Sequence, residues 1–183
     1  ELSIKTLDGE KSLKFKNCII ATGSNPSNVK SFPNNPKIID STGALNLKEI
    51  PNKILIIGGG YIGLEMGSVY SALGSNVTIV EFMPNLLPGA DEDLVKPLFR
   101  QLKKSCENIY LSTKVTQIED FDENLLVHFE SSQNKQFSEN FDSVLVSIGR
   151  TPNTNNLNLE DAGISISNKG FIKVNNKRQT ENP

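Results

Sequence analysis

Three glycines, Gly58, Gly60 and Gly63, follow a short apolar run and precede residues with helical spacing. At these positions the first glycine permits a tight turn and the second lets a ligand approach the backbone, while the third lets a helix lie close to a sheet. The start of that helix would present unpaired N–H groups and a partial positive charge. The spacing and its context therefore predict a turn that binds the pyrophosphate of a dinucleotide.

An acidic residue stands at the end of the next predicted strand, in "NVTIVEF". This residue, Glu81, lies 21 positions after Gly60. A carboxylate there can accept hydrogen bonds from the adenine ribose hydroxyls, and it repels a 2′-phosphate. Phe82, Met83 and Pro84 follow it and carry no positive charge, so we expect NAD rather than NADP. The alternative interpretation is an ordinary strand-to-helix turn with a surface glutamate nearby.

A second acid, Glu65, lies in the first turns of the helix after the glycines. Negative charge at this place suits the helix dipole. Glu65 is therefore either a solvated residue that stabilises the dipole or a residue that extends toward the nicotinamide end of the ligand. The pattern of residues alone leaves both interpretations open.

The other reactive side chains are isolated from one another. His128, in "LLVHFE", alternates with apolar residues and is expected at a half-exposed strand position. Cys18 and Cys106 lie 88 positions apart, so neither a redox dithiol nor a zinc site is indicated, and we expect two buried or half-buried thiols in a reducing compartment. No catalytic group and no metal-binding cluster can be assembled from these residues.

Composition limits the classes of protein to consider. The chain has 183 residues, of which 37% are hydrophobic and 22% charged, with a formal net charge of −2. These values fit a soluble globular domain with pieces of a second one. The basic residues are scattered, and the longest apolar run is too short to cross a bilayer. We therefore expect neither a nucleic-acid nor a membrane partner. No signal peptide is present, but the sequence starts at Glu1 without a methionine, which suggests a fragment, so this absence says little about the compartment.

The elements that must position the glycine turn alternate from Lys53 onward. A buried strand over 54–57 leads into a helix that ends at Gly74, with four apolar residues spaced to share one face: Ile62, Met66, Val69 and Leu73. "NVTIVEF" predicts a second strand and "DEDLVKPLFRQLKKS" a second helix, in which Pro97 is tolerated only if the helix starts near Asp91. "NIYLSTKVT" predicts a third strand.

The remaining patterns complete an α/β fold. Residues 115–142 alternate around polar turns and predict an antiparallel meander, and "DSVLVSIGR" predicts a further buried strand. Strands that alternate with helices imply a parallel sheet with right-handed crossovers. The predicted fold class is thus a Rossmann-like parallel sheet with an antiparallel β-meander.

Shorter elements are expected on both sides of this unit. Residues 1–24 predict two short strands, the second in "KNCIIATGS", and residues 25–36 read as a connection between domains. "STGALNLKEIP" predicts a capped turn or a short helix. "GISISNKGFIKVNN" predicts a hairpin around Asn168, Lys169 and Gly170.

Several motifs resemble those of the pyridine-nucleotide disulfide oxidoreductases. "IIATGSNP", "DSTGALNLKEIP", "IGGGYIGLEMGSVYSALGSNVTIVE", "LSTKVT" and "VLVSIGRTPNT" occur in the order seen in that family. Within this family, the chain is most similar to the NAD-dependent branch that oxidises dihydrolipoamide. The similarity lies in "STGAL" and in "VEF", which no arginine follows. The NADP-dependent glutathione reductases are less similar at these positions.

The resemblance implies a domain arrangement and a set of cofactor contacts. Residues 1–25 and 152–183 would be fragments of an FAD-binding domain, and 26–151 would be the NAD-binding domain inserted into it. Flavin contacts map onto Thr22, Gly23 and Ser24. Nucleotide contacts map onto the turn and helix start, onto the acid after the second strand, and onto one residue each near the adenine and the nicotinamide: Gly58, Gly59, Gly60, Tyr61, Ile62, Gly63, Leu64, Glu65, Glu81, Val115 and Gly149.

Other parts of the family pattern do not occur in this sequence. These are the N-terminal glycine motif for FAD, the C-x-x-x-x-C dithiol, the A-x-G-D flavin motif and the dimerisation domain with its His–Glu pair. The resemblance therefore implies a segment of a longer flavoenzyme that is catalytically incomplete alone. That enzyme would be a homodimer, would act on the lipoyl domains of 2-oxoacid dehydrogenase complexes, and would lie in a bacterial cytoplasm or a mitochondrial matrix.

Two other interpretations stay open on the sequence. The longer enzyme could be a mercuric, trypanothione-like or other disulfide reductase, or a flavin-linked NADH oxidase. Alternatively, the chain could be a stand-alone NAD-binding module that never held flavin. The "ATGS" segment argues against the second alternative, because such a module has no use for part of a flavin domain.

Overall fold

The computed structural model describes residues 1–46 and 48–182. The chain divides into two compact units, one formed by Glu1–Ser24 with Pro152–Pro183 and the other by Asn25–Thr151. We refer to them as the flanking unit and the central unit. The boundaries expected from the sequence lie at 25/26 and 151/152, and the assignment of the pieces to FAD-binding and NAD-binding domains stays a prediction.

Within the described residues there are twelve strands and three helices. The strands are β1 (Leu2–Thr6), β2 (Gly9–Leu13), β3 (Ser24–Pro26), β4 (Ile38–Ile39), β5 (Lys53–Ile57), β6 (Asn76–Val80), β7 (Asn108–Tyr110), β8 (Thr113–Phe121), β9 (Asn124–Ser131), β10 (Gln136–Phe141), β11 (Ser143–Val146) and β12 (Arg150–Pro152). The helices are α1 (Ser41–Leu45), α2 (Tyr61–Ala72) and α3 (Glu92–Ser105).

A five-stranded parallel sheet forms the centre of the central unit. Its strand order is β4-β11-β5-β6-β7. Ile54 and Ile56 of β5 belong to the hydrophobic cluster that includes residues of α2 and α3, whereas Leu55 and Ile57 belong to the cluster shared with the meander. The sheet is thus buried on both faces, which explains the continuous apolar run. The predicted α/β fold class is confirmed.

The meander is a three-stranded antiparallel sheet of order β10-β9-β8, as predicted for residues 115–142. The single strand predicted over "NIYLSTKVT" is wrong. β7 pairs with β6 in the parallel sheet, whereas β8 pairs with β9 in the meander. Between them, Ser112 has a φ of 49°, so the chain turns from one sheet into the other.

Helix α2 buries only part of the predicted face, since Ile62 and Met66 are half-buried and Met66 packs against the hydrophobic cluster. Val69 and Leu73 are 40% and 47% exposed, and the buried residues of the helix are Gly63, Leu64, Gly67 and Tyr70. A Cβ on Gly67 would lie 3.1 Å from Ile56 Cδ1, so the glycines let the helix backbone approach the sheet. A pattern based on large apolar side chains misses such a face because glycine contributes none.

The other two helices agree with the sequence analysis. Helix α1 forms where a capped turn or short helix is predicted, and Asp40 caps it by accepting hydrogen bonds from the N–H groups of Thr42 and Gly43 at 2.9 and 2.8 Å. Helix α3 begins directly after Asp91 and contains Pro97. Gly74, predicted to end α2, has a φ of 101°, a value typical of such a position.

The flanking unit contains the antiparallel hairpin β1–β2. The strand predicted in "KNCIIATGS" is wrong, since no strand occurs over residues 14–23 and Ile19 is 91% exposed. No strand within the described residues pairs with this segment to bury it. Cys18 in the same segment is exposed, contrary to expectation, whereas Cys106 is half-buried.

The predicted C-terminal hairpin is confirmed in a minimal form. Ile166 and Ile172 form one antiparallel bridge around the turn. In the part of the chain that the structure describes, no helix has the length and apolar character needed to span a bilayer.

Candidate functional site

The glycine turn lies between β5 and α2. Gly58 has a φ of 112°, a conformation that favours glycine. Its N–H donates to Val80 O at 2.9 Å, and a Cβ on Gly58 would lie 2.5 Å from Ser147 O. The fold itself therefore requires a glycine at this position.

Gly63 and Gly60 are glycines for different reasons. A Cβ on Gly63 would lie 2.1 Å from Gly58 O and 2.7 Å from Ser147 Oγ, because the first turn of α2 packs directly on the glycine turn. A Cβ on Gly60 would meet no atom within 4 Å. The fold thus excludes a side chain at Gly63 and leaves open space at Gly60.

The start of α2 offers free hydrogen-bond donors. Gly60 is the N-cap residue and provides no side-chain cap. The N–H groups of Tyr61, Ile62 and Gly63 have no acceptor within the helix, because the carbonyl groups four residues earlier lie before the helix begins. Together with the helix dipole they form a place suited to an anion. Leu64 is buried beneath this turn, and Glu65 is exposed.

Glu81 lies beside this turn, at the carboxyl end of β6. Its side chain is directed at the glycines, since Oε2 accepts a hydrogen bond from Gly59 N at 2.6 Å. Oε1 accepts one from Met83 N at 2.7 Å. Each carboxylate oxygen retains a further lone pair. The residue is 8% exposed, and no lysine or arginine of the described residues forms an ion pair with it. A negative charge therefore stands at the edge of the turn.

The loop after Glu81 also holds the turn. Leu87 N donates to Gly59 O at 2.9 Å, and a Cβ on Gly59 would lie 2.6 Å from Leu86 Cδ2. Leu86 itself is buried. Gly59 is therefore fixed at its N–H by a carboxylate and at its carbonyl by the loop, and no side chain fits there.

Sequence reasoning missed two residues that contact the turn. One is Leu86, and the other is Ser147, which follows β11 and donates from its N–H to Ile57 O at 2.8 Å. Neither residue has a sequence pattern that indicates a contact with the turn. Leu86 is one of two leucines in a segment rich in turn formers, and Ser147 is a small polar residue after the apolar run of β11.

Two other predicted nucleotide contacts lie on segments that reach this turn. Val115 is half-buried in β8, two residues after Thr113, whose N–H donates to Glu81 O at 3.0 Å. Gly149 lies two residues after Ser147 and has a φ of 135°. Within the described residues, no hydrogen bond joins Val115 or Gly149 to the glycines themselves, and their predicted roles stay predictions.

The predicted flavin contacts lie in the flanking unit. Thr22 Oγ1 donates to Asn153 O at 2.6 Å, and Asn153 N donates to Gly23 O at 2.9 Å. Gly23 has a φ of 74°, and Ser24 is half-buried. Asn153 thus fixes the "ATGS" segment, while the role of the segment toward flavin stays a prediction.

The remaining reactive side chains form no further site. His128 is half-buried, as predicted, with Nδ1 at 2.8 Å from Ser138 Oγ and Nε2 at 3.4 Å from Glu119 Oε1. Burial raises the pKa of the Cys106 thiol, which disfavours a nucleophilic thiolate. Among residues 1–46 and 48–182, no group of three or more potential metal ligands occurs.

Comparisons with known proteins show the family of this chain. The family described as pyridine nucleotide-disulphide oxidoreductase matches residues 1–183. Dihydrolipoyl dehydrogenase from Vibrio cholerae is 42% identical over 177 residues, and that from Haemophilus influenzae is 44% identical over 172 residues. These alignments cover 96% and 93% of this chain and 37% and 36% of the relatives. The chain thus spans little more than a third of their length.

A solved structure has the same fold. It is the Cu(II) complex of the HOCl-induced flavoprotein disulfide reductase RclA from Escherichia coli, with a TM-score of 0.83 and 32% identity. The match covers 98% of this chain and 40% of that one. With the match over its whole length, this chain belongs to the pyridine nucleotide-disulphide oxidoreductase family.

Proposed function

We propose that this chain is the NAD(H)-binding segment of a flavin-dependent dihydrolipoyl dehydrogenase, which oxidises protein-bound dihydrolipoamide and reduces NAD⁺. The observation that carries the proposal is the position of the Glu81 carboxylate. It is nearly buried at the carboxyl end of β6 and lies 2.6 Å from the N–H of Gly59 in the glycine turn. Family membership and the dihydrolipoyl dehydrogenase relatives support the proposal.

The residues at the turn fit a dinucleotide. The absence of atoms within 4 Å of a Cβ position on Gly60 leaves room for a phosphate, and the N–H groups of Tyr61, Ile62 and Gly63 would bind it. Glu81 would accept hydrogen bonds from the adenine ribose. Bound NAD⁺ supplies the hydride acceptor, and the chain contributes by holding it in a fixed orientation.

Electrostatics favours NAD(H) over NADP(H). The Glu81 carboxylate is nearly buried, and no cation of the described residues forms an ion pair with it, so a 2′-phosphate placed beside it would be repelled. The next three residues, Phe82, Met83 and Pro84, add no positive charge. A site selective for NADP(H) would need such a charge to bind the phosphate.

The flavin would be bound largely by parts of the enzyme other than this segment. Thr22, Gly23 and Ser24 would contribute the contact of the "ATGS" segment. The chain contains only Cys18 and Cys106, far apart in sequence, so we expect no oxidation of dihydrolipoamide by the segment alone. The complete enzyme would be a homodimer that acts on lipoyl domains of 2-oxoacid dehydrogenase complexes, in a bacterial cytoplasm or a mitochondrial matrix.

The test is an assay of the protein at the full length of its relatives. We expect a protein with flavin absorbance that forms NADH from NAD⁺ when dihydrolipoamide is added, and that forms little NADPH from NADP⁺. The isolated chain of 183 residues is the matched control and should form none. A full-length flavoprotein that does not oxidise dihydrolipoamide would contradict the proposal.

A second candidate is another flavoprotein disulfide reductase, and the fold match to RclA supports it. The same full-length protein distinguishes the two candidates. Consumption of NADH with a different disulfide substrate, without any reaction with dihydrolipoamide, would favour the second candidate.

A further inference from the structure

Ser147 contacts the glycine turn from the neighbouring strand of the parallel sheet. It directly follows β11, which pairs with β5, and it is half-buried. Its Oγ donates to Ile57 O at 3.0 Å and lies 3.4 Å from Gly58 O. These carbonyls belong to the last residue of β5 and the first residue of the turn. A single hydroxyl therefore reaches both residues at which the chain leaves the sheet.

The contact with Gly58 O bears on the orientation of one peptide plane. The carbonyl of Gly58 and the N–H of Gly59 belong to the same planar peptide unit. Ser147 Oγ is near the carbonyl end of this unit, and Glu81 Oε2 accepts from its N–H end at 2.6 Å. The Ser147 hydroxyl has a single proton, and its shorter hydrogen bond goes to Ile57 O, so its contact with Gly58 O is the weaker branch of a shared hydrogen bond. The plane thus has a short hydrogen bond at its N–H end and a weaker one at its carbonyl end.

The space around Ser147 leaves little freedom for the turn. A Cβ on Gly63 would lie 2.7 Å from Ser147 Oγ, and a Cβ on Gly58 would lie 2.5 Å from Ser147 O. Ser147 therefore fills the gap between the turn and the first turn of α2. If the hydroxyl were removed, the Gly58 carbonyl would lose its contact with Ser147, while the hydrogen bonds from Gly59 N to Glu81 and from Leu87 N to Gly59 O would remain.

We propose that Ser147 is a positioning residue for NAD(H) binding: its hydroxyl fixes the Gly58–Gly59 peptide so that Glu81 and the N–H groups at the start of α2 face the ligand together. The role rests on the proposed binding of NAD(H) at this turn. Ser147 itself is not required to touch the ligand. The hydroxyl is the critical group, rather than the small size of the residue.

The test compares three substitutions at this position in the 183-residue chain. Threonine and valine have the same size and differ in the hydroxyl, whereas alanine is small and lacks it. We expect Ser147→Thr to bind NADH nearly as the unmodified chain does. Ser147→Ala and Ser147→Val should bind it about three- to ten-fold more weakly, the effect of losing one hydrogen bond. Calorimetric titration measures the dissociation constants.

Ser143→Ala is the matched control, because Ser143 Oγ donates to Lys37 O at 2.9 Å at the opposite end of the same strand. We expect Ser143→Ala and Ser147→Ala to lower the melting temperature by similar amounts, while only Ser147→Ala weakens NADH binding. Equal NADH affinity of Ser147→Ala and the unmodified chain would overturn the positioning role. Equal weakening in Ser147→Thr and Ser147→Val would also overturn it, by assigning the effect to size.

Failure of the proposed function gives a different result. If the unmodified chain bound no NADH, both that function and this role would be overturned. If it bound NADH and the substitutions at position 147 changed nothing, the role of Ser147 alone would fail. Circular dichroism of each variant before titration identifies any that does not fold, and the comparison of Ser147→Thr with Ser147→Ala then decides the outcome.

Discussion

The four glycines of the turn differ in whether the surrounding protein leaves space for a side chain. At Gly58, Gly59 and Gly63 an added Cβ would lie between 2.1 and 2.6 Å from neighbouring atoms of the protein. At Gly60 it would meet nothing within 4 Å, and the φ of −78° is ordinary for any residue. The fold therefore accounts for three of these glycines, and a bound ligand would account for the fourth.

This difference predicts opposite effects of the same substitution at two positions. Gly63→Ala should destabilise the chain by about 2–4 kcal/mol, because its methyl group overlaps backbone and the packed turn must shift. Gly60→Ala should leave the melting temperature within a few degrees of the unmodified chain but weaken NADH binding about ten-fold or more, because its methyl group occupies the space for the phosphate.

Thermal unfolding and NADH titration of both variants check this prediction. Each variant serves as the control for the other. Undiminished NADH binding by a folded Gly60→Ala variant would mean that no phosphate lies at Gly60.

At this scale the sequence predicts the site in part. Glu81 and the glycines were identified because their spacing follows from the requirements of dinucleotide binding. Leu86 and Ser147 were not, since each contacts the turn from a segment distant in sequence, and neither residue type carries a chemical signal. Close packing around a motif depends on the tertiary fold rather than on the motif.

At the scale of elements, a polar network joins the meander to the parallel sheet. Glu139 of β10 accepts a hydrogen bond from the hydroxyl of Tyr110 of β7, and its other carboxylate oxygen lies 3.4 Å from Nζ of Lys53 of β5. The ring of Tyr110 packs edge-on against Phe137 at 5.1 Å. The network thus links three strands from two sheets of the central unit.

The network predicts a pH dependence of stability on the alkaline side. Burial, followed by the hydrogen bond and charge of Glu139, raises the pKa of Tyr110 above its ordinary value of 10.0. Above that value the unfolded chain loses the phenolic proton and the folded chain keeps it, so the unfolded state is favoured as pH rises. The stabilising contribution is complete below about pH 10 and is lost as pH rises through the folded-state pKa.

Melting temperatures between about pH 8 and about pH 11 test this linkage. The unmodified chain should lose stability over this range, and Tyr110→Phe should lose less. Burial also raises the pKa of Tyr70, so Tyr70→Phe is the appropriate comparison and should reduce the slope separately. Identical slopes in Tyr110→Phe and the unmodified chain would exclude Tyr110 as a source of the dependence.

Elements of the central unit were predictable wherever both faces of a strand are buried. The continuous apolar residues of β5 and β6 predicted the parallel sheet. The alternation of apolar and polar residues over 115–142 predicted the meander. Two errors have physical causes. The buried face of α2 is built on Gly63 and Gly67, which carry no hydrophobic signal, and the strand predicted over "NIYLSTKVT" is divided by a backbone conformation at Ser112.

At the scale of the whole molecule, both compact units bury some of their apolar residues and expose others. The central unit has two hydrophobic clusters on the faces of one sheet. In the flanking unit, Leu7, Ile19 and Phe171 are exposed. The chain covers little more than a third of the length of the relatives considered, and the nucleotide-binding residues that we propose lie in the central unit.

We propose that the glycine turn and Glu81 bind NAD(H) in preference to NADP(H). Calorimetric titration of the 183-residue chain with NADH and, separately, with NADPH tests it most directly. We predict measurable NADH binding and NADPH binding that is weaker by about ten-fold or more, because the Glu81 carboxylate repels a 2′-phosphate. Binding of NADPH as tight as that of NADH, or no binding of NADH, would contradict the account.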